Sequence, residues 1–201
     1  FAVVVEGNMD AIASHQAGVK NVVASSGTAL TSDQLDLLKR FCSRIVLSFD
    51  ADDAGENAAR RGIDAAVASG FAVRVLVLPP DAGKDPDDCI RKDPEAWKKA
   101  IAAAIPFMDW YIARAKAKTD FTDPESKKEA ANILLAEAAK LPEPVERSHW
   151  VRVFAEMFET PESLLFEKVQ KMRHESSTTG RTHAPPTAAT PMPKLAPARP
   201  A

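Results

Sequence analysis

Two stretches, FAVVVEG at residues 1–7 and IVLSFDADDAG at residues 45–55, decide the fold. Each is an apolar run that closes on acidic residues, and near-continuous apolar runs of this length are typical of strands buried in a parallel sheet. The carboxyl ends of parallel strands meet at one edge of the sheet, so we expect Glu6, Asp50 and Asp52 to lie close together. Crowded carboxylates repel one another, and either protons or a cation must neutralise them.

Apolar runs alternate with helical patterns through the first part of the chain. The runs at residues 3–6, 21–24, 44–49 and 72–78 predict four strands, with helices between them. Thr31 and Gln34 form a capping-box pattern at one helix start, and the helix after Asp53 is expected to end near Ser69. Crossovers of this length predict an α/β fold, with an open, mostly parallel, doubly wound sheet of four strands flanked by helices.

After residue 88 the pattern changes to helices that begin at prolines. Asp93-Pro94, Asp123-Pro124 and Thr160-Pro161 each place a capping residue before a proline at the first helical position. From His174 onward, proline, threonine and alanine dominate without apolar periodicity, which predicts a disordered linker. We therefore divide the chain into an α/β domain at 1–88, truncated at its N-terminal edge, a helical subdomain at 89–172 and a linker at 173–201.

Composition excludes several classes of protein. With 201 residues and 45% hydrophobic content, the chain is long enough for a substantial core. No apolar stretch approaches the roughly 18 residues of a membrane span, so no membrane partner is expected. Cys42 and Cys89 show neither disulfide-framework nor zinc-site spacing, which favours a reducing, cytoplasmic location. The net charge of −2 gives no overall attraction to nucleic acid.

The acidic residues predict a site for a hard cation. Oxygen-only ligands favour Mg²⁺ or Mn²⁺ over zinc. In Asp50-x-Asp52 the two side chains project the same way as the chain leaves the strand. The alternative is that these acids only cap the following helix. The presence of Glu6 at the same edge favours the cation site.

Three further groups leave alternatives open. The group Lys84-Asp85-Pro86-Asp87-Asp88 follows the fourth strand, and it is either a second metal or outer-shell position or a solvated loop that caps the next helix. Asp10 lies one helical turn after Glu6. It would either face the crevice outside the carboxyl ends of the strands or only interact favourably with the dipole of the following helix. The segment Ser25-Ser26-Gly27-Thr28 is a candidate phosphate or template contact, or an ordinary loop.

Together these motifs resemble a known family. The sequences EGNMD at 6–10, ASSGTALT at 24–31, FDADDAG at 49–55 and KDPDD at 84–88 are similar, in order and spacing, to the TOPRIM segment of bacterial DnaG-type DNA primases. Residues 93–169 also resemble the C-terminal subdomain of the primase catalytic core. One departure is Asn8, which stands where primases usually carry tyrosine, and it affects local packing or substrate contact rather than the metal site.

The resemblance implies an enzyme that makes short RNA primers on a single-stranded DNA template from ribonucleoside triphosphates, by two-metal nucleotidyl transfer with Mg²⁺ or Mn²⁺. The family's catalytic and metal-binding acids correspond to Glu6, Asp50 and Asp52, and its supporting metal acids correspond to Asp10, Asp85 and Asp87. Candidate phosphate contacts are Ser25, Gly27, Thr28 and Lys84.

The resemblance also carries expectations about parts beyond this chain. A basic template-gripping subdomain and a zinc-binding module are expected before Phe1, so zinc is expected only there and the present chain is expected to prime poorly alone. The replicative helicase is an expected partner through a C-terminal domain that we expect to be absent from this chain.

Rival functions account for fewer of these residues. A TOPRIM nuclease would share the acids, whereas a topoisomerase needs a tyrosine nucleophile and the single tyrosine is Tyr111. A phosphoacceptor receiver domain would need its paired acids after the first strand. A non-enzymatic replication adaptor stays open as an alternative. Trp97, Trp110, Tyr111 and Trp150 are expected to pack in the core, and the four histidines show no metal-ligand spacing.

Overall fold

The computed structural model describes residues 1–26, 30–49, 53–79 and 81–179, with the backbone alone at 53, 54, 56 and 176–179. The described ranges contain five strands and nine helices. In chain order these are β1 (Ala2–Val5), α1 (Asn8–Gln16), β2 (Val22–Ala24), α2 (Ser32–Lys39), β3 (Arg44–Ser48), α3 (Asp53–Ala68), β4 (Ala72–Leu76), α4 (Pro86–Lys92), α5 (Pro94–Ala102), β5 (Ile105–Pro106), α6 (Phe107–Lys118), α7 (Pro124–Lys140), α8 (Pro144–Phe158) and α9 (Glu162–Thr179).

The strands form one mixed sheet in the order β2-β1-β3-β4-β5. The first four strands are parallel, and β1 pairs with both β2 and β3, so that Val3 lies between Val22 and Val46. The predicted α/β class and the mostly parallel sheet are therefore confirmed. Strand β5, which pairs antiparallel to β4, was not predicted from the sequence. Two residues are too few to show the alternation by which a strand is recognised.

Alternate residues of the strands serve two different cores. On β1, Ala2 and Val4 belong to a core shared with α3 and α6, whereas Val3 and Val5 belong to a core shared with α1, α4 and α5. Successive side chains of a strand point to opposite faces, so a strand apolar at every position must be covered on both. The sheet is therefore the middle of three layers, as an unbroken run of apolar residues predicts.

The last three helices extend one of these cores. Leu134 and Leu135 of α7, Phe154 of α8 and Val169 of α9 are buried in the same cluster as Ile45 of the sheet. The predicted division at residue 88 also falls inside α4, which packs with α5 on the other face. The helical part is thus built onto the sheet through a continuous apolar core, and the division into domains stays a prediction.

Most of the predicted helix starts carry the expected caps. The Thr31 hydroxyl accepts from the Gln34 backbone, and the Gln34 side chain accepts from the Thr31 backbone, which is the predicted capping box. The Asp93 and Asp123 carboxylates cap α5 and α7 without a reciprocal bond, by accepting from the Glu95 and Ser126 backbone N–H groups. Thr160 differs, because its hydroxyl donates to the Phe158 carbonyl instead.

Two boundaries differ from prediction. Strand β4 ends at Leu76, two residues before the predicted end at Leu78. Helix α9 continues to Thr179, past the boundary predicted at residue 172, and Arg173 ties the continuation to the end of α7 by donating to the Ala139 and Leu141 carbonyls at 2.8 and 2.9 Å. The remainder of the predicted linker, 180–201, lies outside the described residues.

Two sequence expectations about compartment and membrane can be compared with the structure. Cys42 and Cys89 are both free thiols, and Cys89 is fully buried. Within the described ranges, no helix combines the length and the apolar character that crossing a bilayer requires.

Helix α3 approaches the end of β3 unusually closely at Gly62. A Cβ atom built on Gly62 would lie 2.8 Å from Cζ of Phe49, which is the residue directly before Asp50. Real Cβ atoms are essentially never this close to another heavy atom, so glycine lets the helix lie against the aromatic ring. The position of α3 and the position of the chain entering the acidic segment are therefore tied together.

We predict that Gly62→Ala destabilises the protein by about 1–3 kcal/mol, because the added methyl group forces the Phe49 ring or the helix to move. Chemical denaturation measures this change. Arg61→Ala, at an exposed position of the same helix, should change stability by less than about 0.5 kcal/mol. In the Phe49→Leu background, Gly62→Ala should cost less than in the wild type, and an equal cost would show that the ring is not the obstacle.

Candidate active site at the carboxyl edge of the sheet

Adjacent strands deliver the acidic segments to the same edge. Glu6 follows β1 directly and is half-buried, and β3, the neighbour of β1, ends at Ser48 just before the Asp50-x-Asp52 segment. Asp50 and Asp52 themselves lie outside the described residues, as do Gly27 and Thr28. The strand order places the ends of β1 and β3 side by side, and the positions and roles of the individual acids stay predictions.

Asp10 joins two distant parts of this edge. It is 8% exposed, and one carboxylate oxygen accepts from the Gly7 backbone N–H at 3.0 Å while the other accepts from the Asp87 backbone N–H at 3.1 Å. Burial raises the pKa of Asp10, and the Asp85 and Asp87 charges add to this, while the two N–H groups act in the opposite direction. The turn after β1 and the start of α4 are therefore held by one side chain.

Gly7 makes this arrangement possible. A Cβ atom at Gly7 would lie 2.9 Å from Oδ2 of Asp10, too close for any other residue without a shift of the carboxylate. Glycine after Glu6 is thus needed for close approach, which the sequence pattern alone did not indicate.

The acidic group before α4 is engaged mainly with its own helix. The Asp85 carboxylate caps α4 by accepting from the Asp88 backbone at 2.7 Å. The Asp87 carboxylate forms an ion pair with Arg91 at 2.6 Å, one turn further along. Lys84 is largely exposed, with its Nζ 4.0 Å from the Asp85 carboxylate. These contacts favour helix capping for Asp85, and a metal-binding role for Asp85 or Asp87 stays a prediction.

The loop after β2 is tied to the same edge through backbone and side chains. The Ser25 backbone N–H donates to the Val5 carbonyl at 2.9 Å, and Ser25 is 5% exposed. Ser26 has a left-handed φ of 63°, and its hydroxyl donates to Oδ1 of Asn8 at 3.1 Å. Asn8, the departure from the family pattern, therefore links this loop to the start of α1.

The donor chemistry of the edge fits a hard divalent cation. The carboxylates here are Glu6, Asp10, Asp85 and Asp87, and only oxygen donors are available among them. The buried hydroxyl of Ser48, at the end of β3, has no hydrogen-bond partner among the described residues. Within those residues no group of three or more potential ligands lies close enough to hold a metal. Asp50 and Asp52 would have to complete the site.

Other candidate residues have structural roles. Trp97, Trp110 and Tyr111 are buried in the core, as predicted, and Trp150 is half-buried, with an edge-on ring contact to His149 and a tilted one to Phe154. Arg91 was not predicted from the sequence as the partner of Asp87. The four-residue spacing of these two residues would have identified the pair had α4 been predicted to begin at Pro86.

The chain matches two protein families. Residues 3–90 match the Toprim-like family, and residues 108–163 match the DnaB-helicase binding domain of primase. The DNA primase of Clostridium acetobutylicum is 37% identical over 168 residues, covering 83% of this chain and 28% of that protein.

Solved structures agree with these matches. A DNA primase domain from Pseudomonas aeruginosa has a TM-score of 0.71 and 29% identity, covering 86% of this chain and 54% of that one. The DnaG primase catalytic domain bound to single-stranded DNA has a TM-score of 0.70 and 27% identity, covering 81% and 52%. The chain belongs to the DnaG-type DNA primases. It spans about a quarter of the length of the curated primase that it matches.

The match at residues 108–163 corrects one expectation. A helicase-binding region was expected to be absent from this chain, yet α7, α8 and most of α6 lie in a segment that matches a helicase-binding domain of primase. No sequence motif indicated this helicase-binding segment, because a helical segment of this kind is defined by packing rather than by a short motif. The Toprim-like match and the primase structures also suggest that this DnaG-type segment uses a divalent metal.

We predict that Asp10→Ala lowers the free energy of unfolding by about 2–4 kcal/mol, because it leaves the Gly7 and Asp87 N–H groups buried without acceptors. Asp10→Asn keeps one acceptor oxygen and should lose roughly half as much. Urea denaturation measures both, with Asp36→Ala, at an exposed position of α2, as the control. A loss of stability no larger than that of the control would show that Asp10 does not hold the edge together.

Proposed function

We propose that this segment carries the nucleotidyl-transfer centre with which a DnaG-type primase joins ribonucleotides into short RNA primers on single-stranded DNA. Family membership supports the class of reaction, since the relatives are DNA primases and the similar solved domains are primase catalytic domains. Because the chain spans only part of its relatives, the activity proposed is that of the primase to which this segment belongs.

The arrangement of the carboxyl edge is the observation that carries the proposal. The neighbouring parallel strands β1 and β3 end side by side, directly before Glu6 and shortly before the Asp50-x-Asp52 segment, and the Asp10 carboxylate fixes two other parts of that edge. Ligand sites of open α/β sheets lie outside the carboxyl ends of the strands. An acidic site at this position suits transfer of a phosphoryl group that is already bound to cations.

In this proposal Glu6, Asp50 and Asp52 hold Mg²⁺, which when bound would stabilise the negative charge that develops on the transferred phosphoryl group. Both oxygens of Asp10 accept backbone N–H groups, so beside the metal-binding role predicted for it, Asp10 fixes the turn after β1 that presents Glu6. Asp85 and Asp87 would act on the cations electrostatically, from a greater distance than the proposed ligands Glu6, Asp50 and Asp52.

Phosphate contacts are proposed for the loop after β2. Ser25 is buried and its backbone is bonded to Val5, so its own contribution is to anchor the loop. Ser26 is exposed and held by Asn8 next to the start of α1. Gly27 and Thr28 follow directly, and together with the exposed Lys84 they are the proposed contacts of the incoming triphosphate.

The proposed partners are single-stranded DNA, ribonucleoside triphosphates, the RNA primer and the replicative helicase. A primase catalytic domain similar to this chain has been solved with single-stranded DNA. The match of residues 108–163 supports the helicase as a partner. Zinc is expected only in a separate module of the family, and the described residues contain no group of ligands for it.

We predict that the chain binds Mn²⁺ and that Asp50→Ala with Asp52→Ala weakens this binding at least about tenfold, because two of the three principal ligands are lost. Titration of Mn²⁺ followed by electron paramagnetic resonance measures the free ion. The control is Asp33→Ala with Asp36→Ala, which removes the same charge from exposed positions of α2. Equal binding by the wild type and the Asp50/Asp52 variant would refute the metal site.

Primer synthesis is tested with the primase that contains this segment, on single-stranded DNA with ribonucleotides and Mg²⁺. We expect RNA products from the wild type and a loss of at least about 100-fold in the Asp52→Ala variant, as is usual when a charged group that acts in the transition state is removed. Cleavage of the DNA without RNA synthesis would support a TOPRIM nuclease instead. RNA synthesis unaffected by the substitution would place the chemistry elsewhere.

Helicase binding is tested separately with the purified replicative helicase. If residues 108–163 contribute to the contact, this chain should retain the helicase on an affinity column. No retention would contradict the proposed partner.

A further inference from the structure

A groove separates the amino end of the sheet from the turn between α7 and α8. Its volume is about 470 Å³, within the range of roughly 300–1,000 Å³ that is found for ligand sites. The starts of β4 and α6 and the end of α3 line one wall, and the α7–α8 turn and α8 line the other. The groove lies at the opposite end of the strands from the acidic edge, so it is a separate site.

The interior of this groove is apolar. Val67 of α3, Val73 of β4 and Met108 of α6 line it, and all three are buried. Trp150 of α8 lines the facing wall and is half-buried, with its ring anchored against Phe154 of the core. Tryptophan is among the residues that contribute most to binding at protein interfaces. The groove therefore offers an apolar floor and an aromatic wall to a side chain of a partner.

The same wall carries two carboxylates. Glu143 and Glu146 line the groove and are exposed, and their spacing from Trp150 places all three on one face of α8. Partial burial raises the pKa of Glu146 and the Glu143 charge adds to this, while His149 acts in the opposite direction. Among the described residues, no cation lies within ion-pair distance of either carboxylate.

The facing wall carries two arginines that are already engaged within this chain. The guanidinium carbon of Arg44 lies 5.2 Å from the centre of the Phe1 ring, and Nε of Arg74 donates to the Ala104 carbonyl at 2.7 Å. The charge that still lacks a partner is therefore negative. Negative charge disfavours the phosphates of a polynucleotide and favours a basic segment of a protein.

Two contacts fix the helical part against α3, whose end forms part of the groove. Nζ of Lys140, the last residue of α7, donates to Oδ1 of Asp64 at 2.7 Å. One turn earlier on α3, the guanidinium carbon of Arg60 lies 5.3 Å from the centre of the Tyr111 ring of α6, within the range of a cation–π interaction. The two walls of the groove are therefore held at a defined distance.

The turn between α7 and α8 is held by two more arginines. The Leu141 carbonyl accepts from Nη1 of Arg147 at 2.6 Å and from Nη1 of Arg173 at 2.9 Å. Arg147 is itself buried in the protein interior. A surface that is already rigid loses little conformational freedom on binding, so this wall is suited to docking a partner.

We infer that a segment of the replicative helicase docks in this groove, with an apolar side chain against Trp150 and a basic side chain at Glu143 and Glu146. The inference rests on the proposed function, because it takes the helicase as the partner. Residues 108–163, which match the DnaB-helicase binding domain of primase, supply the α8 wall. Most of the other wall lies outside that match, so the groove predicts contacts that the match alone does not.

The affinity of the whole chain for the purified helicase is measured by surface plasmon resonance, with thermal unfolding recorded for each variant. We expect Glu143→Gln with Glu146→Gln to raise the dissociation constant about three- to tenfold and to weaken its dependence on salt. Trp150→Ala should raise it at least about tenfold. Glu125→Gln with Glu129→Gln, which removes the same charge from exposed positions of α7, should stay within about twofold of the wild type.

Hydrogen exchange followed by mass spectrometry locates the contact. On addition of the helicase, we expect slower exchange at residues 141–150 and also at residues 70–74, which lie outside the matched segment. Val145 provides a second control, because it is 83% exposed on α8 but does not line the groove. Val145→Ser should bind the helicase within about twofold of the wild type.

Different results would overturn the inference and the proposed partner. If the wild type does not bind the helicase, the proposed partner fails and the docking site fails with it. If the wild type binds but the Glu143/Glu146 variant binds equally well, or if protection is confined to residues outside the groove, the helicase remains a partner and docks elsewhere. Should Trp150→Ala unfold the chain, the two exposed glutamates still decide the test.

Discussion

Carboxylates at one end of a parallel sheet repel one another. The strand pairing, the backbone N–H donors and the helix contacts of this structure act against that repulsion. Two unit charges about 4 Å apart cost on the order of 4 kcal/mol at an effective dielectric constant near 20. Glu6 follows one strand directly, and the neighbouring strand ends shortly before the Asp50-x-Asp52 segment, so the sheet brings the two strand ends side by side. Buried N–H donors and a close glycine at position 7 accommodate the additional carboxylate of Asp10.

Stabilisation of this edge comes from both faces of the sheet. On one face, α4 donates the Asp87 N–H to Asp10 and caps itself with Asp85. On the other face, α3 packs its glycine against Phe49 and is held in turn by Tyr111 and Lys140. The helical part is therefore more than an appended module, because its apolar core is continuous with that of the sheet.

Much of this arrangement could be predicted from the sequence, because its signals are local. The apolar runs ending in acids, the capping box at Thr31 and the Asp-Pro helix starts each depend on a few neighbouring residues. Strand β5 was missed because it has two residues and exists only through its pairing with β4. The contacts of Asp10 with Asp87 and of Lys140 with Asp64 join positions more than seventy residues apart, and no pattern in one sequence reveals such pairs.

A crystal of this chain soaked in Mn²⁺, with anomalous diffraction recorded near the manganese absorption edge, would show whether the carboxyl edge is a divalent-cation site. If it is, we expect an anomalous peak within about 2.0–2.3 Å of a Glu6 oxygen and of oxygens from Asp50 or Asp52. A peak only at other carboxylates, or none at this edge in a crystal that has taken up Mn²⁺, would contradict it.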